Sequence, residues 1–163
     1  MCKRGGTTRR ATPKSRRKVF ATVDKRDVAE LARWVDDGSK MAFRLVGDMV
    51  YGYHSDVVED VARLSESLSV VYSGVAMGQL FKGRLKPEHA LALYVGRSVD
   101  VVPVVEVSDE DAVNYLRKLD IAAGQFEEGI NVVTYKGIAI GFIKRIGARC
   151  NNMYPKDLRI QKL

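Results

Sequence analysis

The C-terminal part of the chain combines cations, side-chain amides and a tyrosine, the mixture that single-stranded RNA recognition requires. Lysine and arginine pair with phosphates, asparagine amides contact base edges, and an aromatic ring stacks on a base. A stacked base contributes ~1–3 kcal/mol, so one tyrosine matters only beside several ionic contacts. The candidate RNA-binding residues are Lys144, Arg149, Asn151, Asn152, Tyr154, Lys156 and Arg159.

A structural interpretation of these residues stays open on pattern alone. Consecutive asparagines favour a turn, Tyr154 is suited to packing on the end of a barrel, and surface cations keep a protein soluble. Neighbouring side chains along a strand point to opposite faces, so at most one of Lys144 and Arg145 belongs to any single patch. The segment therefore suggests RNA binding without specifying it.

The charge is divided along the chain. The 163 residues have a formal net charge of +7. Residues 1–18 contain eight cations and no acid, residues 19–129 have a net charge of −7, and residues 130–163 a net charge of +6. Such basic segments indicate an anionic partner. We expect residues 1–19 to be a disordered basic tail or linker, because residues 1–18 contain no bulky apolar side chain besides Met1.

Composition excludes several classes of protein. With 46% hydrophobic and 29% charged residues, the chain is typical of a soluble globular protein. No apolar run approaches the ~20 residues of a membrane helix, so we expect no membrane partner. The N-terminus lacks the apolar region of a secretory signal, and we therefore expect a cytoplasmic protein.

The residues that could perform catalysis or bind a metal are few and isolated. Cys2, Cys150, His54 and His89 have no spacing typical of a disulfide framework or zinc site. Dinucleotide-binding, phosphate-loop, zinc-protease and nucleophile-elbow motifs are all missing from the sequence. We therefore predict no catalytic residue and no metal site in this chain.

Hydrophobic periodicity and turn residues predict the elements that position the basic segment. Apolar residues three and four apart predict helices, and short apolar runs around glycine predict hairpins. The first half is predicted to begin with a helix over 24–35 and hairpin strands 42–46 and 49–53. A helix capped by Ser55 follows, with Val57, Val61, Leu64 and Leu68 on one face. Paired strands 70–72 and 75–80 around Gly74 and a short helix from Pro87 to Leu93 complete this half.

The second half repeats this arrangement. Pro103 restricts its Val-rich stretch to an edge or an entering strand. Ser108 and Asp111 predict a capped helix start. The apolar stripe of that helix consists of Ala112, Tyr115, Leu116 and Leu119. Strands 130–135 and 138–146 follow, joined at Lys136-Gly137.

A short internal echo links the two halves. Residues 71–80 align without gaps on residues 134–143. Hairpins commonly need glycine near the turn, which is one explanation, and two related α+β subdomains are the other. The second shared glycine, Gly78 in one copy and Gly141 in the other, predicts a β-bulge or a close backbone approach in both.

The C-terminal run also resembles a known family. Residues 132–160 are similar to the PUA-like RNA-binding domain of RsmF-type methyltransferases, bacterial Sun-family enzymes that make 5-methylcytosine in small-subunit ribosomal RNA. Residues 68–93 are similar to that family's first C-terminal domain, so the resemblance covers roughly residues 20–163. The motif positions matched are Tyr135, Gly137, Gly141, Phe142, Lys144, Gly147, Asn151, Asn152, Tyr154, Pro155, Arg159 and Ile160.

With the predicted elements, the resemblance implies an α+β fold of two small units, each with a strongly bent mixed or antiparallel sheet. The first unit would span 20–102, and the second, a PUA-like pseudo-barrel, would span 103–163. The resemblance implies phosphate contacts for Lys144 and Arg159, with Arg149 and Lys156 as further candidates. It implies that Asn151, Asn152 and Tyr154 either lie near the bases or shape the loop. We expect a monomer that binds ribosomal RNA.

The catalytic features of the family are missing. Its enzymes have an S-adenosylmethionine-binding Rossmann-like domain with cysteines in Pro-Cys and Thr-Cys-Thr contexts, one of which attacks the cytosine ring. Neither context occurs here, since Cys2 precedes Lys3 and Cys150 follows Arg149. We therefore expect S-adenosylmethionine to belong to a catalytic domain outside this chain. The chain is either a piece of a longer methyltransferase, which the linker-like tail favours, or a free-standing homologue of that piece.

Three functions follow from different features of the sequence. The leading hypothesis is an RNA-binding module that positions small-subunit ribosomal RNA for a 5-methylcytosine methyltransferase domain. The alternative is a protein-interaction module whose acidic body docks a basic partner, on the ribosome or on a methyltransferase. The third, an enzyme acting alone, is disfavoured by the cysteine contexts.

Overall fold

A computed structural model of the chain describes residues 21–68, 70 and 72–161, so the predicted tail lies outside the described residues. The fold is α+β, as predicted, with one five-stranded and one four-stranded sheet. None of the helices described is long and apolar enough to span a membrane. The main elements are β1 (Ala21–Thr22), α1 (Lys25–Ala32), β2 (Met41–Val46), β3 (Met49–His54), α2 (Val58–Ser67), β4 (Val75–Phe81), β5 (Arg84–Pro87), α3 (His89–Leu93), β6 (Val104–Glu106), α4 (Asp109–Leu116), β7 (Gly129–Tyr135), β8 (Ile138–Ile146) and β9 (Arg149–Asn152).

The first sheet is an antiparallel meander in chain order, β1 to β5. Its β2–β3 hairpin is predicted correctly, and Gly47 in the turn has a φ of +67°. Glycine adopts this left-handed conformation without steric cost. The predicted strand 70–72 is wrong at its described residues 70 and 72, because β4 pairs with β3 and β5 instead. The prediction misses β5, since Pro87 ends this strand; the predicted short helix begins after it as α3 and ends at Leu93, as predicted.

Helix α1 begins as the sequence predicts and ends earlier. The Asp24 carboxylate accepts the Arg26 N–H at 2.9 Å and caps the helix. The N–H groups of Trp34 and Val35 turn back to carbonyls three residues earlier, which closes the helix in a tight turn after Ala32. The predicted apolar periodicity through residue 35 therefore reflects burial of both side chains beyond the helix.

Helix α2 differs from the prediction at its start and in its packing. Val57, not Ser55, is the residue that precedes the first turn, and no side chain caps it. The predicted apolar stripe faces solvent for most of its length: Val57, Leu64 and Leu68 are 47%, 53% and 60% exposed. Periodicity reports that a stripe exists and carries no information about what covers it.

The second sheet has the order β6-β7-β8-β9, with β6 parallel to β7 and the other pairs antiparallel. Pro103 leads into the edge strand β6, as predicted. The Ser108 hydroxyl oxygen accepts the Asp111 N–H at 3.1 Å, which confirms the predicted cap of α4. Strand β9 was not predicted, because this polar edge strand lacks an alternating apolar pattern.

One hydrophobic core joins the two sheets. Phe142 of β8 packs in the same cluster as Leu31 and Trp34 of the first unit. The Trp34 and Phe142 rings meet edge to face, with centroids 6.1 Å apart. A second cluster under α4 buries Tyr115 and Ile143. Strand β8 is therefore packed on both faces, by the first unit on one side and by α4 on the other.

The internal echo has a physical counterpart in both sheets. The strand ladder shifts register next to Gly78 and again next to Gly141, leaving one extra residue each time. The φ angles of these glycines are +138° and +149°, a region that side chains rarely adopt. A Cβ would lie 2.1 Å from the Lys86 carbonyl oxygen in one case and 2.2 Å from the Tyr115 hydroxyl oxygen in the other. The predicted bulge is confirmed in both copies; the close contact is with backbone at Gly78 and with a side chain at Gly141.

Candidate nucleic-acid interface

Strands β8 and β9 bring three of the predicted RNA-binding residues to one face. Lys144 pairs with Asn151, and Ile146 pairs with Arg149. Directly paired residues share a face, as do residues two apart on one strand. Lys144, Arg149 and Asn151 are exposed, so the hairpin presents two cations and one amide to solvent. We call these three residues the β8–β9 basic face.

An open cleft of about 520 Å³ lies at this hairpin. It is lined by Ile146, Arg149, Cys150 and Asn151. Burial raises the pKa of the Cys150 thiol, so it is protonated at neutral pH and is not an activated nucleophile. No three carboxylate, imidazole or thiol groups converge on a metal-sized site anywhere in the described ranges. The lining therefore suits binding of an anionic, partly apolar group.

Arg145 lies on the opposite face of β8 and has a structural role. Its guanidinium donates to the carbonyl oxygens of Gly147 and Phe126. The Glu128 carboxylate lies 4.0 Å from the Arg145 Nε and accepts the Gly147 N–H at 3.1 Å. These contacts hold the β8–β9 turn in place, and they confirm that Arg145 does not share a patch with Lys144.

Asn152 and Tyr154 face inward and shape the segment after β9. The Asn152 amide donates to the Tyr115 carbonyl at 2.8 Å and accepts the Tyr154 N–H at 2.9 Å. The Tyr154 ring packs edge-on against His89 and Tyr115, with centroids 5.1 and 5.5 Å away. This arrangement favours a positioning role for both residues over direct contact with a base.

Lys118 is a residue of this region that the sequence did not suggest. Its ammonium group donates to the Asn152 carbonyl at 2.9 Å and also to the Tyr154 carbonyl. Burial lowers the pKa of Lys118, and the positive charges of Lys156 and Arg159 lower it further. No local pattern could have identified it, because its partners lie more than 30 residues away.

Lys156 and Arg159 form a second basic group with Lys118. Lys156 opens the 3-10 turn Lys156–Leu158, and Arg159 follows it. Both side chains are exposed. The Ile160 N–H donates to the Leu116 carbonyl at 3.1 Å, which ties this segment to the end of α4. The structure therefore divides the predicted cations between the β8–β9 basic face and this α4 end.

His89 links the first unit to the candidate interface. Its ring contacts Tyr154, and its Nδ1 lies 3.1 Å from the position that a Cβ on Gly141 would take. This Nδ1 is buried and has no hydrogen-bond partner among the described residues. Burial lowers the pKa of His89, which keeps the ring neutral at physiological pH.

The segment that forms this interface matches a known family. Residues 102–160 match the family described as the methyltransferase RsmF PUA domain. The chain carries an RsmF-type PUA region. Both groups of cations, the β8–β9 basic face and the α4 end, lie inside the matched range. The predicted division between residues 102 and 103 stays a prediction.

Two curated relatives extend the similarity beyond this RsmF-type region. The chain is 28% identical over 92 residues to ribosomal RNA small subunit methyltransferase F of Shewanella loihica, covering 55% of this chain and 18% of the relative. It is 24% identical over 107 residues to the protein of that name from Shewanella piezotolerans, covering 64% and 22%. Both alignments contain more residues than lie between residue 102 and the C-terminus. They therefore include part of the first unit. The chain spans about a fifth of the length of these relatives.

Proposed function

We propose that this chain is the RNA-binding module of a ribosomal RNA methyltransferase and positions small-subunit ribosomal RNA for a catalytic domain outside the chain. The observation that carries the proposal is the coincidence of the β8–β9 basic face with the RsmF PUA match. The names of both curated relatives support ribosomal RNA as the ligand. S-adenosylmethionine and the methyl-transfer chemistry would belong to that catalytic domain. The proposed module acts as a cytoplasmic monomer.

The proposed contacts follow from where each side chain lies. Lys144 and Arg149 pair with phosphates, and the Asn151 amide contacts a base edge at the cleft. Lys156 and Arg159 add phosphate contacts at the α4 end. Asn152 and Tyr154 act through the shape of their segment, which Lys118 anchors.

The dependence of RNA affinity on salt tests the phosphate contacts. The assay uses a labelled fragment of small-subunit ribosomal RNA and the full chain. Replacing Lys144 and Arg149 by glutamine should reduce the slope of log affinity against log salt by ~0.7–0.9 for each phosphate that is no longer neutralised. The control replaces Lys40 and Arg63, exposed cations of the first unit. An affinity that salt and the Lys144/Arg149 variant leave unchanged would refute the proposal.

Positioning requires a separate experiment, because affinity alone does not locate the RNA. Ultraviolet crosslinking of the chain to small-subunit ribosomal RNA should give crosslinks concentrated around one cytosine that carries 5-methylation. The same crosslinks should be lost in the Lys144/Arg149 variant. Crosslinks distributed over the whole RNA would contradict positioning while leaving RNA binding intact.

The solvent-facing stripe of α2 supports a second candidate function, docking of a basic protein partner. Val57, Leu64 and Leu68 are exposed, and the acidic side chains Glu59 and Asp60 flank them. A basic amphipathic surface, such as one on the proposed catalytic domain, would match this combination. Capture of that domain from nuclease-treated extract, abolished by Leu64→Ser, would support docking. Retention of the domain only before nuclease treatment would show that RNA bridges the two.

A further inference from the structure

The hairpin of β4 and β5 concentrates positive charge within the acidic body of the chain. Lys82, Arg84 and Lys86 fall within five residues, and no acid occurs between residues 79 and 87. The surrounding segment, residues 19–129, has a net charge of −7. A local group of cations in such a background is not explained by a general excess of lysine and arginine.

The strand register places these cations beside an exposed aromatic ring. Phe81 pairs with Arg84, and Gln79 pairs with Lys86, so all four side chains point to one face of the first sheet. The opposite face of β5 is buried through Leu85. Phe81 is 69% exposed. The ammonium group of Lys82, in the turn, lies 5.4 Å from its ring centroid.

These cations differ from three other cations of the first unit in lacking acidic partners. Arg33, Lys40 and Arg44 each form an ion pair with a carboxylate. Over residues 21–68, 70 and 72–161, neither the Arg84 nor the Lys86 side chain takes part in an ion pair or hydrogen bond. Three acids lie close to the hairpin, and one of them, Glu30, accepts the backbone N–H of Leu85 at 3.2 Å. Asp48 accepts a hydrogen bond from Gln79 at 2.7 Å, and Asp27 lies near the turn at Gly83.

The hairpin occupies the same place in the first sheet as the β8–β9 hairpin does in the second. The first strand of each hairpin contains a bulge and a glycine with positive φ, Gly78 in β4 and Gly141 in β8. Each then turns back as an antiparallel edge strand with at least one outward cation, Arg84 and Lys86 in β5 and Arg149 in β9. The echo detected in the sequence therefore ends, in both units, in an exposed basic hairpin.

We propose that the outer face of the β4–β5 hairpin is a second binding surface for single-stranded RNA. Arg84 and Lys86 pair with phosphates, and Phe81 provides a plane on which a base stacks. The Gln79 amide nitrogen donates to Asp48, so Gln79 offers its amide oxygen at the same face. This inference rests on the proposed RNA-binding function and assigns to the first unit a contact with a different stretch of the same RNA.

Fluorescence anisotropy with a labelled single-stranded RNA of about 16 nucleotides tests the second surface. Replacing Arg84 and Lys86 by glutamine should reduce the salt slope by ~1.4, because each phosphate neutralised on a single strand accounts for ~0.7. Phe81→Leu should weaken binding about 5- to 160-fold because the base no longer stacks, and Phe81→Tyr should retain it. The matched control replaces Lys40 and Arg63, one lysine and one arginine, and should bind as the unmodified chain does.

The Lys144/Arg149 variant, measured in parallel, separates this inference from the proposed function. Weaker binding by both the Arg84/Lys86 and Lys144/Arg149 variants supports two surfaces. If only the Lys144/Arg149 variant binds more weakly, the second surface is refuted and the proposed function stands. If only the Arg84/Lys86 variant does, the hairpin is the RNA surface and the β8–β9 face is not. No binding by the unmodified chain refutes both.

Discussion

Gly141→Ala tests whether the bulge in β8 requires a residue without a side chain. Gly141 has a φ of +149°, and an added Cβ would lie 2.2 Å from the Tyr115 hydroxyl oxygen. That hydroxyl donates to the Phe142 carbonyl at 2.9 Å and is fully buried with its ring. The new methyl group must therefore displace the Tyr115 side chain or shift the strand.

The expected loss of stability has two parts. Alanine in this backbone conformation costs about 1–3 kcal/mol in strain. Separating the Tyr115 hydroxyl from the Phe142 carbonyl leaves a buried polar pair unsatisfied, which costs about 1–3 kcal/mol more. A total of about 2–6 kcal/mol is a large share of the ~5–15 kcal/mol that stabilises a typical domain.

Tyr115→Phe separates these two contributions. It removes the oxygen that the new Cβ would meet, and the next nearest atoms lie 3.1 Å away. The double variant should therefore be more stable than the sum of the single changes predicts, by about 1 kcal/mol or more. Gly129→Ala is the strain control, since Gly129 has a φ of +98° and no heavy atom within 4 Å of an added Cβ.

Urea unfolding measures all four variants through the fluorescence of Trp34, the single tryptophan of the chain. This indole contacts Phe142, so its emission reports the packing of β8 directly. Strictly additive losses for Gly141→Ala and Tyr115→Phe would refute the reasoning, because they would show that the methyl group and the hydroxyl do not compete for space. A Gly141→Ala loss no larger than that of Gly129→Ala would refute it as well.

Three further predictions test the caps, the core and the buried histidine. Ser108→Ala should cost about 1 kcal/mol, and Ser55→Ala less than about 0.5 kcal/mol, in urea unfolding, since only Ser108 caps a helix. Phe142→Ala should cost about 3–5 kcal/mol, and fluorescence and far-UV circular dichroism should still follow one transition because the two units share a core. Burial lowers the pKa of His89 from 6.5, so the unfolded chain binds more protons below that pH and stability should fall as the pH drops through about 6.5. Thermal unfolding at about pH 7.5 and about pH 5 should show this loss, and His89→Gln should reduce it.

Local signals explain what the sequence predicted correctly. The Gly47 turn, the Ser108 cap and the edge position after Pro103 each depend on the conformational preference of one or two residues. The echo was informative for the same reason, because a glycine required at a bulge leaves a mark in the sequence wherever the bulge recurs. Such features are readable because their physical cause lies within a few residues.

Contacts between distant segments explain what the sequence did not predict. Strand β9 forms because it pairs with β8, and its own residues do not favour a strand. The sequence left open whether Tyr154 packs or stacks on a base, and its ring packs because His89 and Tyr115, from other parts of the chain, form the surface for it. Lys118 joins the site through two carbonyls of the segment after β9. Composition placed the cations in the right segment and could not divide them between the β8–β9 basic face and the α4 end.

Strand β8 connects these observations. Its middle is fixed by the Trp34 contact on one face and by the Tyr115 hydrogen bond on the other, and its end carries Lys144. A disturbance at Gly141 should therefore move Lys144 relative to Arg149 and Asn151 without touching any of them. RNA affinity should fall in Gly141→Ala even at a temperature where the variant is fully folded, and Tyr115→Phe should restore part of it. Unchanged affinity in the folded variant would show that the basic face is positioned by the β8–β9 pairing alone.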